Sequence, residues 1–186
     1  MKNSVNTFVA FLRGINVGGH HKVPMADLRK EMESLGFQQV TTILNTGNII
    51  FDAADANEKQ LEQKLANHLA GVFGFPIPVM IRSAQAVHDL WESEPFKDIE
   101  VTKEIRLYAS LLAESPQVDI SIPWSNENQS YKILDIKANI ILSVLDLAVT
   151  KTPKGMEALE KLFGKNITTR NWNTIKRVIG KLEARS

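Results

Sequence analysis

Residues 8–12, Phe8-Val9-Ala10-Phe11-Leu12, are apolar at every position. Alternate residues of a strand face opposite sides, so a strand of this composition has to be covered on both faces. A helical pattern follows it. Pro24 suits a first helical position, Met25, Leu28, Met32 and Leu35 recur at spacings of three and four, and Gly36 fits a left-handed closing residue. Residues 41–44 and 48–51 flank Asn45-Thr46-Gly47, which predicts a hairpin. Asn57 can cap a second helix carrying Leu61, Leu65, Leu69 and Val72 on one face, with Gly74 at its end. Residues 77–82 read as a fourth strand. The order β-α-β-β-α-β is the split βαβ, or ferredoxin-like, arrangement. Pro78 cannot donate to a ladder and belongs at a strand start or an edge, and the fourth strand is an edge in this arrangement.

The second half repeats part of this order. A helix over 84–91 leads into an acidic connector, 92–104, and a strand over 105–112. Residues 115–129 are rich in Pro, Ser and Asn. Strands over 131–136 and 139–145 flank Lys137-Ala138, and Thr152 caps a helix from Pro153 with Met156, Leu159, Leu162 and Phe163 inward. A last helix over 171–182 carries Trp172, Ile175, Ile179 and Leu182 on one face. Asn48-Ile49-Ile50 and Asn139-Ile140-Ile141 occupy matching hairpin positions, which points to a degenerate duplication. The expected fold is α+β: two ferredoxin-like halves with mostly antiparallel sheets, divided as residues 1–83 and 84–186.

Twenty-two Lys and Arg against twenty-one Asp and Glu leave a net charge of +1, with no global pull toward nucleic acid or an anionic membrane. Cysteine is absent, which excludes disulfides, thiol nucleophiles, Cys-ligated zinc and iron–sulfur clusters. The apolar run at 8–12 is too short for a signal-peptide core, and the run at 140–149 is interrupted by Ser143 and Asp146, so no membrane segment is expected and the cytoplasm is the expected location. Charge is uneven along the chain. Residues 151–186 hold nine Lys and Arg against three Glu, a local net charge of +6.

Two segments are suited to anions. Arg13-Gly14-Ile15-Asn16-Val17-Gly18-Gly19 lies between the first strand and first helix, where glycines let backbone amides turn toward an anion and a guanidinium adds a fork of donors. It is neither a Walker loop nor a dinucleotide fingerprint. Thr168-Thr169-Arg170-Asn171-Trp172-Asn173-Thr174 is read as the opening of the last helix, where free amides favour negative charge. The default reading of both segments is structural, as turn and cap with Trp172 in the core, and the anion reading stands behind it.

With Val23-Pro24-Met25, Leu28, Leu35-Gly36-Phe37 and Thr46-Gly47-Asn48, these segments carry a resemblance across nearly the whole chain. The sequence resembles the bacterial conserved-hypothetical family catalogued as domain of unknown function 1697. It departs at Thr46, where that family usually shows serine, and His20 and His21 fall where its members vary. The resemblance implies a two-part α+β fold with ferredoxin-like halves and brings no activity, cofactor or catalytic residue.

No familiar catalytic pattern stands out. His20, His21, His68 and His88 lack metal-ligand spacing, there is no G-x-S-x-G elbow, and Glu92, Glu94, Asp98, Glu100 and Glu104 read as a solvated connector. No metal or cofactor is expected, and neither a reaction nor an oligomeric state can be read from the residues. The expected ligand is small and anionic, bearing phosphate or carboxylate, in a cleft between the halves. Its candidate contacts are Arg13, Asn16, Gly18, Gly19, Thr46, Asn48, Thr169, Arg170, Asn171 and Asn173. Nucleic acid binding through the basic C-terminal helices is the alternative. Recognition on the sheet face is disfavoured, because the first strand is apolar on both sides and the third lacks paired aromatics. A partner-binding protein without a ligand is the third reading.

Overall fold

The computed structural model describes residues 4–54 and 57–186. Its elements run β1 (Val5–Leu12), α1 (Met25–Ser34), β2 (Gln38–Ile43), β3 (Asn48–Ala54), α2 (Glu58–Phe73), β4 (Val79–Ser83) and α3 (Ala84–Glu92). They continue as β5 (Ile105–Leu112), β6 (Trp124–Ser125), β7 (Tyr131–Lys137), β8 (Ile140–Asp146), α4 (Thr152–Phe163), β9 (Ile167–Asn171) and α5 (Trp172–Glu183). The chain forms two compact units, Met1–His88 with Arg177–Ser186, and Asp89–Lys176. The sequence places residues 177–186 in the second half. In the structure they group with the first unit, where Arg185 meets Asp52 at 3.4 Å and donates to the Gln39 carbonyl.

The first unit has the expected antiparallel sheet, in the order β2-β3-β1-β4. Phe8, Ala10, Leu12, Ile49 and Phe51 form one core with Leu28 and Met32 of α1 and Leu61, Leu65 and Leu69 of α2. Val9, Phe11, Ile50 and Met80, on the other side, are buried as well. Both faces of β1 are covered, as its composition requires. Asn57 caps α2 by accepting from the Gln60 amide at 2.8 Å. Pro24 is one residue earlier than expected, as the cap of α1 rather than its first residue.

The edge of the sheet at β4 is closed by side chains. The Ile81 amide donates to Glu62 Oε1 at 2.9 Å and the Ser83 amide to Glu58 Oε1 at 2.7 Å, both carboxylates coming from α2. Pro78, just before the strand, faces β1 instead, its carbonyl accepting from the Arg13 amide at 2.9 Å. An edge with these two outward amides already bonded is a poorer template for another chain.

The second unit is a five-stranded antiparallel sheet ordered β6-β7-β8-β5-β9. Its last four strands repeat the order of the first sheet. The register shows the repeat residue by residue. Phe8 pairs with Ser83 and Val9 with Arg82; Tyr108 pairs with Asn171 and Ala109 with Arg170. The Leu12 amide donates to Gly47 O at 2.8 Å and the Leu112 amide to Asn139 O at 2.9 Å. Arg13 N donates to Pro78 O, and Ala113 N to Asn166 O. Gly47 therefore corresponds to Asn139, one residue away from the match suggested by Asn48-Ile49-Ile50 and Asn139-Ile140-Ile141. Both equivalent residues have positive φ, 82° and 57°. A stretch that is irregular apart from the two-residue β6, residues 113–130, stands where the first unit has α1.

One local reading is corrected. Residues 167–171 form strand β9, not the beginning of the last helix, which starts at Trp172. The correction completes the duplication, because β9 is the counterpart of β4. Each of these strands runs without a break into a helix, β4 into α3 and β9 into α5.

Candidate functional site

The loop after β1 is fixed mainly by one side chain. Asn16 Nδ2 donates to Val23 O at 3.0 Å and to Asn45 O at 2.7 Å, while Asn16 Oδ1 accepts from the Val23 amide at 2.8 Å. These bonds tie the loop to the start of α1 and to the β2–β3 turn, bringing together two of the segments singled out in the sequence. Gly18 and Gly19, with φ of 58° and 77°, form the centre of a tight turn in which His20 N donates to Val17 O at 3.1 Å. Two consecutive positive φ values are the reason for the glycine pair. His21 stacks on Phe75 with ring centroids 4.3 Å apart.

Across the turn, Asn48 is fully buried and its Nδ2 donates to Ile43 O and Thr46 Oγ1, each at 2.9 Å. Asn16 and Asn48 are thus engaged in holding this end of the sheet. Arg13 differs. Its amide is in the ladder, but its half-buried guanidinium makes no hydrogen bond or ion pair among the described residues. Residues 13–24 include Arg13, His20, His21 and Lys22 and no carboxylate, and α1 begins beyond them without a side-chain cap.

Thr169, Arg170, Asn171 and Asn173 lie in the second unit. Thr169 Oγ1 is 2.8 Å from Ser110 Oγ across the β5–β9 pair. Arg170 is 8% exposed, and its guanidinium donates to Thr168 Oγ1 at 2.7 Å and to Thr169 O at 3.2 Å. Burial pulls its pKa down to about 10. Arg82, its counterpart in the repeat, folds back in the same way onto Ile81 O at 2.7 Å. Its pKa is lowered by burial, opposed by Glu58 and Glu62. Asn171 Oδ1 accepts from the Asn173 amide at 2.9 Å, so Asn171 caps α5 and Asn173 supplies the capped group.

Trp172 is half-buried and lines an open hollow of about 570 Å³ within the second unit. Trp91, Phe96 and Leu107 form the rest of its apolar wall, and Glu92, Glu94 and Lys97 are also part of its lining. Trp91 and Trp172 stack with centroids 5.5 Å apart, and Phe96 meets Trp172 edge-on at 5.0 Å. Sequence reasoning missed this hollow because its walls come from three separate stretches of chain. The available signal was that two of only three tryptophans sit beside helix ends. Among the described residues, no cluster of three or more His, Asp or Glu is arranged to hold a metal, and no helix is long and apolar enough to cross a membrane.

The sequence model of the family described as "Protein of unknown function (DUF1697)" matches residues 5–141. A solved structure, described as a conserved bacterial protein from Streptococcus pneumoniae, is similar to this chain at 22% identity with a TM-score of 0.66. The likeness covers 94% of this chain and 97% of the other. It establishes a shared fold. No curated protein matches.

Proposed function

The chain belongs to the family of unknown function DUF1697, and since that membership carries no activity, we propose from the chemistry of its own residues that it binds a small phosphate- or carboxylate-bearing ligand at the loop after β1. One observation carries this reading: the Arg13 guanidinium is without a partner among the described residues, in a stretch that has cations and no acid. The planar fork of a guanidinium matches the paired oxygens of carboxylate and phosphate. Lys22, the exposed amides of the Gly18-Gly19 turn and the start of α1 add to the attraction. Arg170 has no part in this reading, because a buried guanidinium folded onto its own strand presents little to solvent.

Titration calorimetry with inorganic phosphate, a sugar phosphate and a dicarboxylate tests the reading. Binding that Arg13→Gln weakens about tenfold, with an unchanged melting temperature, supports it. Absence of binding at millimolar ligand, or binding indifferent to Arg13→Gln, overturns it. Asp27, the acid in the first turn of α1, competes with an anion there, so Asp27→Asn is expected to strengthen binding. The cytoplasm suits this reading, since a chain without cysteine gains nothing from an oxidising compartment.

The local charge of +6 over residues 151–186 favours a second reading, contact with a nucleic acid backbone. Two of its nine cations are already engaged, Arg170 by burial and Arg185 by Asp52. Sheet-face recognition has no support, because β1 is buried on both sides. Affinity for oligonucleotides that falls steeply with salt and survives Arg13→Gln distinguishes this reading from the first.

A further inference from the structure

The hollow beside Trp172 has a chemistry of its own, independent of the anion reading. Its lining is mixed, the aromatic and aliphatic surface of Trp91, Phe96, Leu107 and Trp172 alternating with the polar side chains of Glu92, Glu94 and Lys97. The Glu92 and Glu94 carboxylates are exposed and make no ion pair or hydrogen bond among the described residues, and Lys97, the one cation in the lining, leaves two acids against one base there. Glu94 has φ of +44°, its amide donates to Trp91 O at 3.1 Å, and its carbonyl accepts from Lys97 N at 3.1 Å. That turn fixes the rim directly against the tryptophan. A volume of about 570 Å³ is of the size that small-molecule sites occupy.

We propose that this hollow, walled by Trp91, Phe96, Leu107 and Trp172 with Glu92 and Glu94 at its rim, binds a small organic ammonium compound whose nitrogen carries alkyl groups. The alkyl groups lose water against the indole and phenyl rings, as any apolar surface does. The positive charge is attracted to the negative faces of the rings and to the two carboxylates. A compact inorganic cation gains little from the rings, and an anion meets carboxylates, so the charge of the rim selects the occupant. A neutral apolar compound keeps the burial and forgoes the electrostatic part.

Trp91 and Trp172 are two of the three tryptophans in the chain, so intrinsic fluorescence reports directly on the site. Choline is the probe, and 3,3-dimethylbutan-1-ol, of the same shape without the charge, is the control. The expected result is a saturable change in tryptophan emission with choline, and affinity for the alcohol at least about tenfold weaker. The variant Glu92→Gln/Glu94→Gln, changed only at exposed side chains, is expected to fold normally and to bind choline about five- to tenfold more weakly. Trp172→Phe is expected to weaken binding further. Equal affinity for the alcohol, no emission change up to 50 mM choline (about the weakest binding that the rings and carboxylates together would leave), or a double variant that binds like the parent each overturns the proposal. Arg13→Gln should leave choline binding unaltered, which separates failure here from failure of the anion reading.

Discussion

Gly47 shows how little room one position can have. Its φ is +82°, and an added Cβ would lie 2.7 Å from Leu12 Cβ and 2.9 Å from Ile15 Cδ1. Neither neighbour can retreat, because Leu12 and Ile15 are buried at the end of the core. Gly47→Ala is therefore expected to cost about 2–4 kcal/mol from strain and overpacking together, read by urea denaturation. Tyr131 presents the opposite problem. Its hydroxyl and Ser143 Oγ are both buried, and among the described residues they find no partner beyond a poor contact with each other. Tyr131→Phe removes one orphaned group and is expected to gain about 1 kcal/mol at neutral pH. Burial, the leading cause, raises the phenol to about 12 from its ordinary value near 10. A group whose folded pKa lies above its unfolded one supports the fold fully below pH 10 and loses that support as pH rises through 12. Denaturation of the parent at pH 9 and pH 12 should show a loss of up to about 3 kcal/mol that the Phe variant lacks.

Among the elements, the first sheet was legible because its strands and helices obey their own periods. Residues 8–12, the α1 stripe from Met25 to Leu35 and the Asn57 cap each predict one structure, and the structure has them. β9 was not legible. Ile167-Thr168-Thr169-Arg170-Asn171 has one large apolar residue, and Asn171 is both the end of a strand and the cap of α5, so the capping signal hides the strand. Its register became visible only through Tyr108 and Ala109, about sixty residues earlier in the chain. Of the candidate site, the association of Asn16 with the β2–β3 turn is a matter of hydrogen bonds that no spacing rule contains. The hollow joins Trp91 to Trp172, which no local pattern links. The β4 edge offers a test at this scale. Glu62→Ala frees the Ile81 amide and takes a carboxylate 3.6 Å from the buried Arg82. A loss of about 2–4 kcal/mol is expected, and light scattering should show association growing with concentration as the edge opens.

For the molecule as a whole, duplication explains the division of the chain. Each repeat is a four-stranded β-α-β-β-α-β pattern, or what remains of one, followed by a helix that begins in its own unit and ends in the other. α3 runs from the first unit into the second at His88 and Asp89, and α5 from the second into the first at Lys176 and Arg177. The final ten residues are thus a structural part of the first unit although the chain reaches them last. Val178, Ile179 and Leu182 are buried, and burying an aliphatic side chain of this size stabilises by about 1.5–3 kcal/mol. The three together approach the whole stability of an ordinary domain, about 5–15 kcal/mol. The Arg185–Asp52 pair is a smaller contribution, since both side chains are one-fifth exposed. A chain ending at Lys176 should therefore lose cooperative unfolding of the first unit, seen as collapsed amide-exchange protection over β1 and β3, while Arg185→Ala should cost only about 1 kcal/mol. Retention of full protection in β1 and β3 by the shortened chain would mean that the first unit is complete without the end of α5, and that the exchange of helices between repeats does not contribute to its stability.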